Sequence, residues 1–307
     1  MEFAINPMLT QPNLRRLYVH KVHGEQAALH RDVLAIEEPL EIRVASDAGE
    51  VQVAVTMRTP GEDFELAAGF LFGEGLLHTR DEISEIGYCC DDRPQARFAD
   101  GVGQVTAGAR YNVVTVRLRP GVPFDAAQIR RNFYATSSCG VCGKASLESL
   151  EMRGCAPLAR DAFCVSAGII RRLDAGLRRR QALFDKTGGL HAAAFFNAAG
   201  ELLTLHEDVG RHGALDKLVG RRLLDGHLPA ADCLLMVSGR ASFEIMQKAL
   251  MARVPVVVAV GAPSSLAVEL AQAFNITLIG FARGEHFNIY AGDWRIALPA
   301  RRRAVAS

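Results

Sequence analysis

No stretch of this sequence approaches the ~20 consecutive apolar residues that a membrane-spanning helix requires; apolar runs such as Val254–Val260 are short. The opening residues, MEFAINPMLTQPNLRRLYVHK, hold no apolar h-region, so they do not read as a secretory signal, and a cytoplasmic location is expected. Charge of one sign is missing too. Lys and Arg number 35 against 34 Asp and Glu, a net of +1, so neither a nucleic acid nor a membrane surface is an expected partner. Cysteine lacks a framework: there are seven, an odd number, and only Cys139 and Cys142 stand at motif spacing. This argues against disulfide bracing and for thiol chemistry at one place. No internal repeat and no low-complexity segment occurs.

What is present is ordinary for a soluble globular chain: 49% hydrophobic and 22% charged residues over a length of 307 that suits two domains. Up to about residue 30 no periodicity is visible, and a loosely held arm is expected. LEIRV and VQVAVTM read as strands joined by a turn at Asp47-Ala48-Gly49. GEDFELAAGFLFGEGLL carries a helical apolar repeat at Phe64, Ala67, Ala68 and Leu71, and YNVVTVRL reads as another strand. Gly101–Gly108 is expected to be a hairpin loop.

The second half predicts a helix from Ser166 to about Phe184 with Ser166 as N-cap, then a hairpin with its turn at Ala198-Ala199-Gly200. Helix and strand then alternate: a helix from about Gly213 to Leu224, strand CLLMVSG, helix SFEIMQKALMAR, strand PVVVAVG, helix SLAVELAQAF and strand ITLIGFAR. Such alternation implies crossover units in a sheet covered by helices. The fold class expected is α/β: a cytidine-deaminase-like, three-layer αβα domain with a mixed, largely parallel sheet over residues 131–307. A smaller α+β domain is expected over residues 1–130.

The sharpest motif is TSSCGVCGK, Thr136–Lys144. Its two thiols sit among small residues on a turn ahead of an expected helix, Lys144–Met152. Helix-end N–H groups and the Lys144 charge would lower a thiol pKa and make it nucleophilic. Three readings stay open: an inert thiol pair, half of a zinc site, and a redox or sulfur-carrying thiol. Zinc needs more ligands than this, and the sequence has no second C-x-x-C and no proline before Cys139. No zinc is expected, and the third reading is preferred.

Polar clusters also recur where the strands are expected to end: His206-Glu207-Asp208-Val209-Gly210-Arg211-His212, Ser238-Gly239-Arg240-Ala241-Ser242, Gly261-Ala262-Pro263-Ser264-Ser265 and Phe281-Ala282-Arg283-Gly284-Glu285-His286. Strand carboxyl ends form the ligand crevice of open α/β sheets, and helix starts suit phosphate. Arg211, Arg240 and Arg283 could pair with a pyrophosphate. An equally open reading makes His206, Asp208 and His212 a structural network that holds the hairpin.

With these segments assembled, the chain resembles the FdhD/NarQ family of formate dehydrogenase accessory sulfurtransferases from about Glu37 to Ile296. The resemblance rests on MRTPGEDFELAAGFLFGEGLL, SSCGVCGK, TGGLHAAA, HEDVGRHGALDKLVG, SGRASFEIMQKA and APSSLAVELA. It implies a carrier that accepts sulfur from a cysteine desulfurase as a persulfide and passes it to molybdenum bis(molybdopterin guanine dinucleotide), Mo-bisMGD, for the formate dehydrogenase catalytic subunit. The persulfide cysteine carries over onto Cys139, with Cys142 as its partner. The cofactor-contacting stretch carries over onto Phe281, Ala282, Arg283, Gly284, Glu285 and His286. Ser238, Gly239, Arg240, His206, Asp208 and Arg211 complete the expected contacts, GDP is the expected mimic, and the two guanine arms of the cofactor suggest a homodimer. The family usually has asparagine where this chain has Gly213, and the FARGEH stretch varies among members.

Overall fold

The structure, a computed structural model, describes residues 13–89, 112–125, 147, 150, 155–160 and 163–298. The C-x-x-C motif and the Gly101–Gly108 stretch lie outside the described residues. Of the expected helix Lys144–Met152, Leu147 and Leu150 are described, and both are helical.

Contacts divide the chain into two units, one of residues 1–138, 183–190 and 207–225 and one of residues 139–182, 191–206 and 226–307. The expected division at 130/131 is contiguous. The observed one is not, because two segments of the second half fold into the first unit.

The first unit opens with a ribbon of β1 (Leu14–His23) and β2 (Gln26–Ala35), paired along their whole length. This replaces the loose arm expected here. The turn is two residues long, with Gly24 at φ 58, the conformation that glycine adopts at no steric cost. Next come β3 (Glu38–Ser46), β4 (Gly49–Arg58), α1 (Asp63–Gly73), β5 (Ile83–Tyr88) and β6 (Val113–Leu118). The sheet runs β4-β3-β6-β5, with β3 and β6 parallel and the outer pairs antiparallel. Leu40, Ile42 and Val44 alternate inwards from β3 and meet Leu66, Ala67 and Leu71 of α1 in one core. α4 (Arg211–Leu224) belongs to this unit and crosses α1 at glycines: a Cβ on Gly69 would lie 1.9 Å from the Asp216 carbonyl oxygen, and one on Gly220 would lie 1.8 Å from that of Glu65. Only glycine permits this approach.

The second unit holds β7 (Val165–Ser166), α2 (Ala167–Arg178), β8 (His191–Phe196), most of β9 (Leu202–Asp208), β10 (Leu234–Val237), α5 (Phe243–Met251), β11 (Val256–Ala259), α6 (Ser265–Ala273), β12 (Thr277–Arg283), β13 (His286–Ala291) and β14 (Ile296–Ala297). α3 (Ala182–Thr187) precedes β8 and lies almost wholly in the first unit. Ser166 caps α2 as expected, accepting from the Ile169 N–H. The expected single helix nevertheless ends at Arg178, and α3 is separate. Leu183 and Phe184 N–H groups donate to the Glu207 carboxylate, a long-range cap that starts the new helix.

The main sheet runs β13-β12-β11-β10-β8-β9. Only its centre is parallel: β10, β11 and β12 are parallel neighbours, while β8 and β13 pair antiparallel with β10 and β12. The expectation of a largely parallel sheet is corrected to a parallel centre with hairpins at both edges. The order helix, hairpin, αβαβαβ is as expected. The core beneath α2 gathers Ile170, Leu173 and Leu177 with Ala192, Ala194, Met236, Val258 and Ile279.

Candidate functional site

In the second unit the turns after the three parallel strands are stitched together by backbone bonds. Gly261 N–H donates to the Gly239 carbonyl at 2.9 Å, and Phe281 N–H donates to the Gly261 carbonyl at 3.1 Å. Ala241 and Pro263 form a bridge, and Ser264 N–H donates to the Ala241 carbonyl. The strand ladder thus continues past its own ends, and Ser238-Gly239-Arg240, Gly261–Ser264 and Phe281 form one surface. The packing is tight: a Cβ on Gly261 would meet Arg240 Cγ at 3.0 Å, and one on Gly280 would meet Pro263 Cδ at 2.8 Å.

On that surface the expected residues differ in what they can offer. Ser238 is committed to the frame: its Oγ accepts from Ala192 N–H while its own N–H donates to the Ala192 carbonyl. Ala282 is turned into the hydrophobic core. Arg240 and Arg283 are exposed. Ser264 caps α6 through the Ala267 N–H. Phe281 is 47% exposed and sits at φ 54, a left-handed backbone that costs a bulky side chain about 1–2 kcal/mol. Strain of this kind collects at functional sites, where the surrounding structure enforces it. Arg283 and His286 face each other across the two-residue turn Gly284-Glu285, with Gly284 at φ 55. Glu285 forms an ion pair with the α2 guanidinium of Arg171 at 3.2 Å.

His206 belongs to the second unit, buried, with Thr204 Oγ1 at 3.3 Å from Nε2. Asp208 and Arg211 belong to the first. Asp208 is fully buried and its oxygens are engaged. Oδ1 accepts from Gly210 N–H, and Oδ2 accepts from Thr59 N–H at 3.1 Å and pairs with Lys217 Nζ at 2.7 Å. Lys217 donates in turn to the Thr59 and Glu207 carbonyls. This is the bracing network that the sequence left open for Asp208. A Cβ on Gly213 would lie 2.7 Å from Asp208 Oδ1, so the carboxylate occupies the space an asparagine there would need. Arg211 begins α4, and its Nε is buried without a hydrogen bond to the described residues.

Sequence reasoning missed the partners of these groups. Lys217 gave no spacing signal. Arg58 is fully buried and grips Asp63 with two bonds, 3.1 and 2.9 Å, while donating to Asn112 at 3.0 Å. Tyr88 donates to the same Asp63 at 3.2 Å. Burial first, then the Asp63 charge, pushes the Tyr88 phenol above its ordinary pKa. The segment that follows the C-x-x-C region is clamped to the second unit: Arg253 bonds the Ala156 carbonyl, Asn275 bonds that of Leu158, and the buried Arg295 bonds that of Ala159.

A model of the FdhD/NarQ family matches residues 35–297. The chain belongs to the FdhD/NarQ family. Its match spans both cysteines of the C-x-x-C motif and every residue of the strand-end surface. The sulfur carrier protein FdhD of Streptomyces avermitilis is 47% identical over 290 residues, covering 93% of this chain and 96% of that protein. The protein of the same name from Mycobacterium tuberculosis is 45% identical over 278 residues, covering 91% and 96%. A crystal structure of a formate dehydrogenase accessory protein from Desulfotalea psychrophila superposes with a TM-score of 0.68 at 25% identity, covering 93% of this chain and all of that one. This FdhD/NarQ chain is therefore similar to its relatives along nearly its whole length. Among its described residues, no helix is long and apolar enough to cross a membrane.

Proposed function

We propose that the protein carries sulfur to the molybdenum cofactor of a formate dehydrogenase, with Cys139 as the carrying residue. The observation that supports this reading most is the near full-length similarity to sulfur carrier proteins, combined with one C-x-x-C in the matched span. The Cys139 thiolate attacks the outer sulfur of a cysteine desulfurase persulfide; that sulfur moves to Cys139 and the desulfurase leaves as a thiolate. Cys142 then attacks the inner sulfur, a Cys139–Cys142 disulfide forms, and hydrosulfide passes to the molybdenum of Mo-bisMGD. A thiol reductant reopens the disulfide before the next turn. Thiolate fraction and access set the rate of each exchange.

Mo-bisMGD is the substrate in this reading, held by its guanine nucleotide arms on the strand-end surface. Arg240 and Arg283 supply exposed guanidinium groups for phosphate, Gly239 and Gly284 let the backbone approach, and Phe281 presents a ring at the edge. His206, Glu285 and His286 are secondary contacts, while Asp208 braces the loop that Arg211 follows. We read the second unit as deaminase-like in architecture, on the order of its elements, and locate the protein in the cytoplasm.

Two experiments test this reading. Cys139→Ala should leave a formate dehydrogenase client inactive in cells that lack their own carrier, and an active client would overturn the assignment. Titration calorimetry with GDP should show binding that Arg240→Ala or Arg283→Ala weakens more than about tenfold, since charge-assisted bonds contribute about 1.5–3 kcal/mol. Unchanged affinity in both variants would place the nucleotide elsewhere.

A further inference from the structure

Three turns carry the polar groups of the strand-end surface: residues 238–242, 261–265 and 281–286. They hold two arginines, Arg240 and Arg283, and a single acid, Glu285. That acid stands two residues from Arg283, in the Gly284-Glu285 turn, with its side chain 81% exposed. A carboxylate so close to Arg283 on a flexible side chain is a built-in competitor for any anion that the arginine binds.

Glu285 is engaged elsewhere. Its Oε2 lies 3.2 Å from Nε of Arg171, on α2. Arg171 follows the core residue Ile170, so it leaves the helix at the flank of the buried stripe. Behind the turn, Ala282 and Phe287 pack into the same core as Ile170 and Leu173. The back of the hairpin therefore rests against α2, and the ion pair draws the tip to that side. Phe281, Arg283, His286 and Asn288 stay exposed. Among the described residues, Arg171 makes no other ion pair and Arg283 makes none.

We infer that Arg171 is a positioning residue for anion binding at this surface: it holds the Glu285 carboxylate towards α2 and so keeps Arg283 free for a phosphate group. The inference rests on the strand-end surface being the nucleotide site. Arg171 acts through Glu285 and touches no phosphate itself. The ion pair is made through Oε2, so Oε1 can still accept from a hydroxyl or amide donor of the nucleotide.

Charge, rather than mechanical tethering, is the reason. The turn is already fixed by other means: Gly284 supplies φ 55, Arg283 and His286 pair across it, and Phe281 N–H donates to the Gly261 carbonyl. Ala282 and Phe287 anchor it to the core. An exposed ion pair adds little to such a frame. What the pair changes is where a negative charge lies. Released from Arg171, Glu285 has Arg283 as the nearest arginine in its own turn, and an incoming phosphate has to displace it. Such an exposed contact is weak, so the expected loss of affinity is only about three- to fivefold, and salt screens it.

Titration calorimetry of the full chain with GDP tests it. At about 50 mM salt, Arg171→Ala should bind GDP about three- to fivefold more weakly than wild type, and the gap should narrow towards about 0.5 M salt. Arg171→Lys should retain most of the affinity. Arg171→Ala/Glu285→Gln should bind at least about twofold more tightly than Arg171→Ala, because the competing charge is gone. Far-UV circular dichroism should be the same for every variant. A double variant no tighter than Arg171→Ala would make Arg171 a mechanical tether and overturn the inference. So would wild-type affinity in Arg171→Ala, with GDP binding by the wild type intact. A wild type that binds no GDP would remove the reading of the surface as a nucleotide site, and this inference with it.

Discussion

At the scale of single residues, the long-range effects sit in buried ion pairs whose partners are far apart in sequence. Lys217 neutralises Asp208 and fastens the Thr59 carbonyl, so Lys217→Met leaves a buried carboxylate without its counter-charge. That loss should cost about 3–5 kcal/mol, measured by urea unfolding. Tyr88 carries a pH signature. Its phenol is held above the ordinary value in the fold, so the neutral form is favoured there. This contribution is fully present below the ordinary tyrosine pKa of about 10 and is lost as pH rises through the folded value. Between about pH 8 and about pH 11 the wild type should therefore lose more unfolding free energy than Tyr88→Phe, and equal losses would contradict this. The sequence showed Asp208 and His206 as polar residues at a strand end, but not whether they face a ligand or each other's loops. The answer for Asp208 lies in Thr59 and Lys217, one of them 149 positions away.

At the scale of elements, most of what the residues fixed locally was legible and most of what a distant contact fixed was not. The strands β10, β11 and β12 are short apolar runs between turn residues, and their helices begin at Ser242 and Ser264 as a helix start requires. The β1–β2 ribbon was invisible because both of its faces are largely exposed, so no period of two separates apolar from polar residues. The break between α2 and α3 was invisible because the carboxylate that starts α3 comes from Glu207. The same holds for the glycines of α1 and α4, which look like helix-weakening residues until the crossing is seen. Gly69→Ala or Gly220→Ala should destabilise the protein by about 2 kcal/mol or more, since the new methyl group overlaps backbone rather than a movable side chain. Gly168→Ala in α2 meets nothing nearer than 3.7 Å and should stay within about 1 kcal/mol of wild type. Thermal or urea unfolding of the three variants makes the comparison.

At the scale of the whole molecule, the proposed function rests on two features: a strand-end surface that exposes Arg240 and Arg283, and a thiol motif that lies outside the described residues. The surface was largely legible, because glycines, serines and arginines recur after each parallel strand. The division into units was not, since it depends on where residues 207–225 pack. The central claim is that Cys139 accepts sulfane sulfur. The most direct measurement is intact-protein mass spectrometry after incubation with a cysteine desulfurase and cysteine, without reductant. The account predicts one added sulfur atom on the wild type, removable by dithiothreitol, retained in Cys142→Ala and absent in Cys139→Ala. Equal loading of Cys139→Ala and wild type, or no loading of a folded wild type, would contradict it.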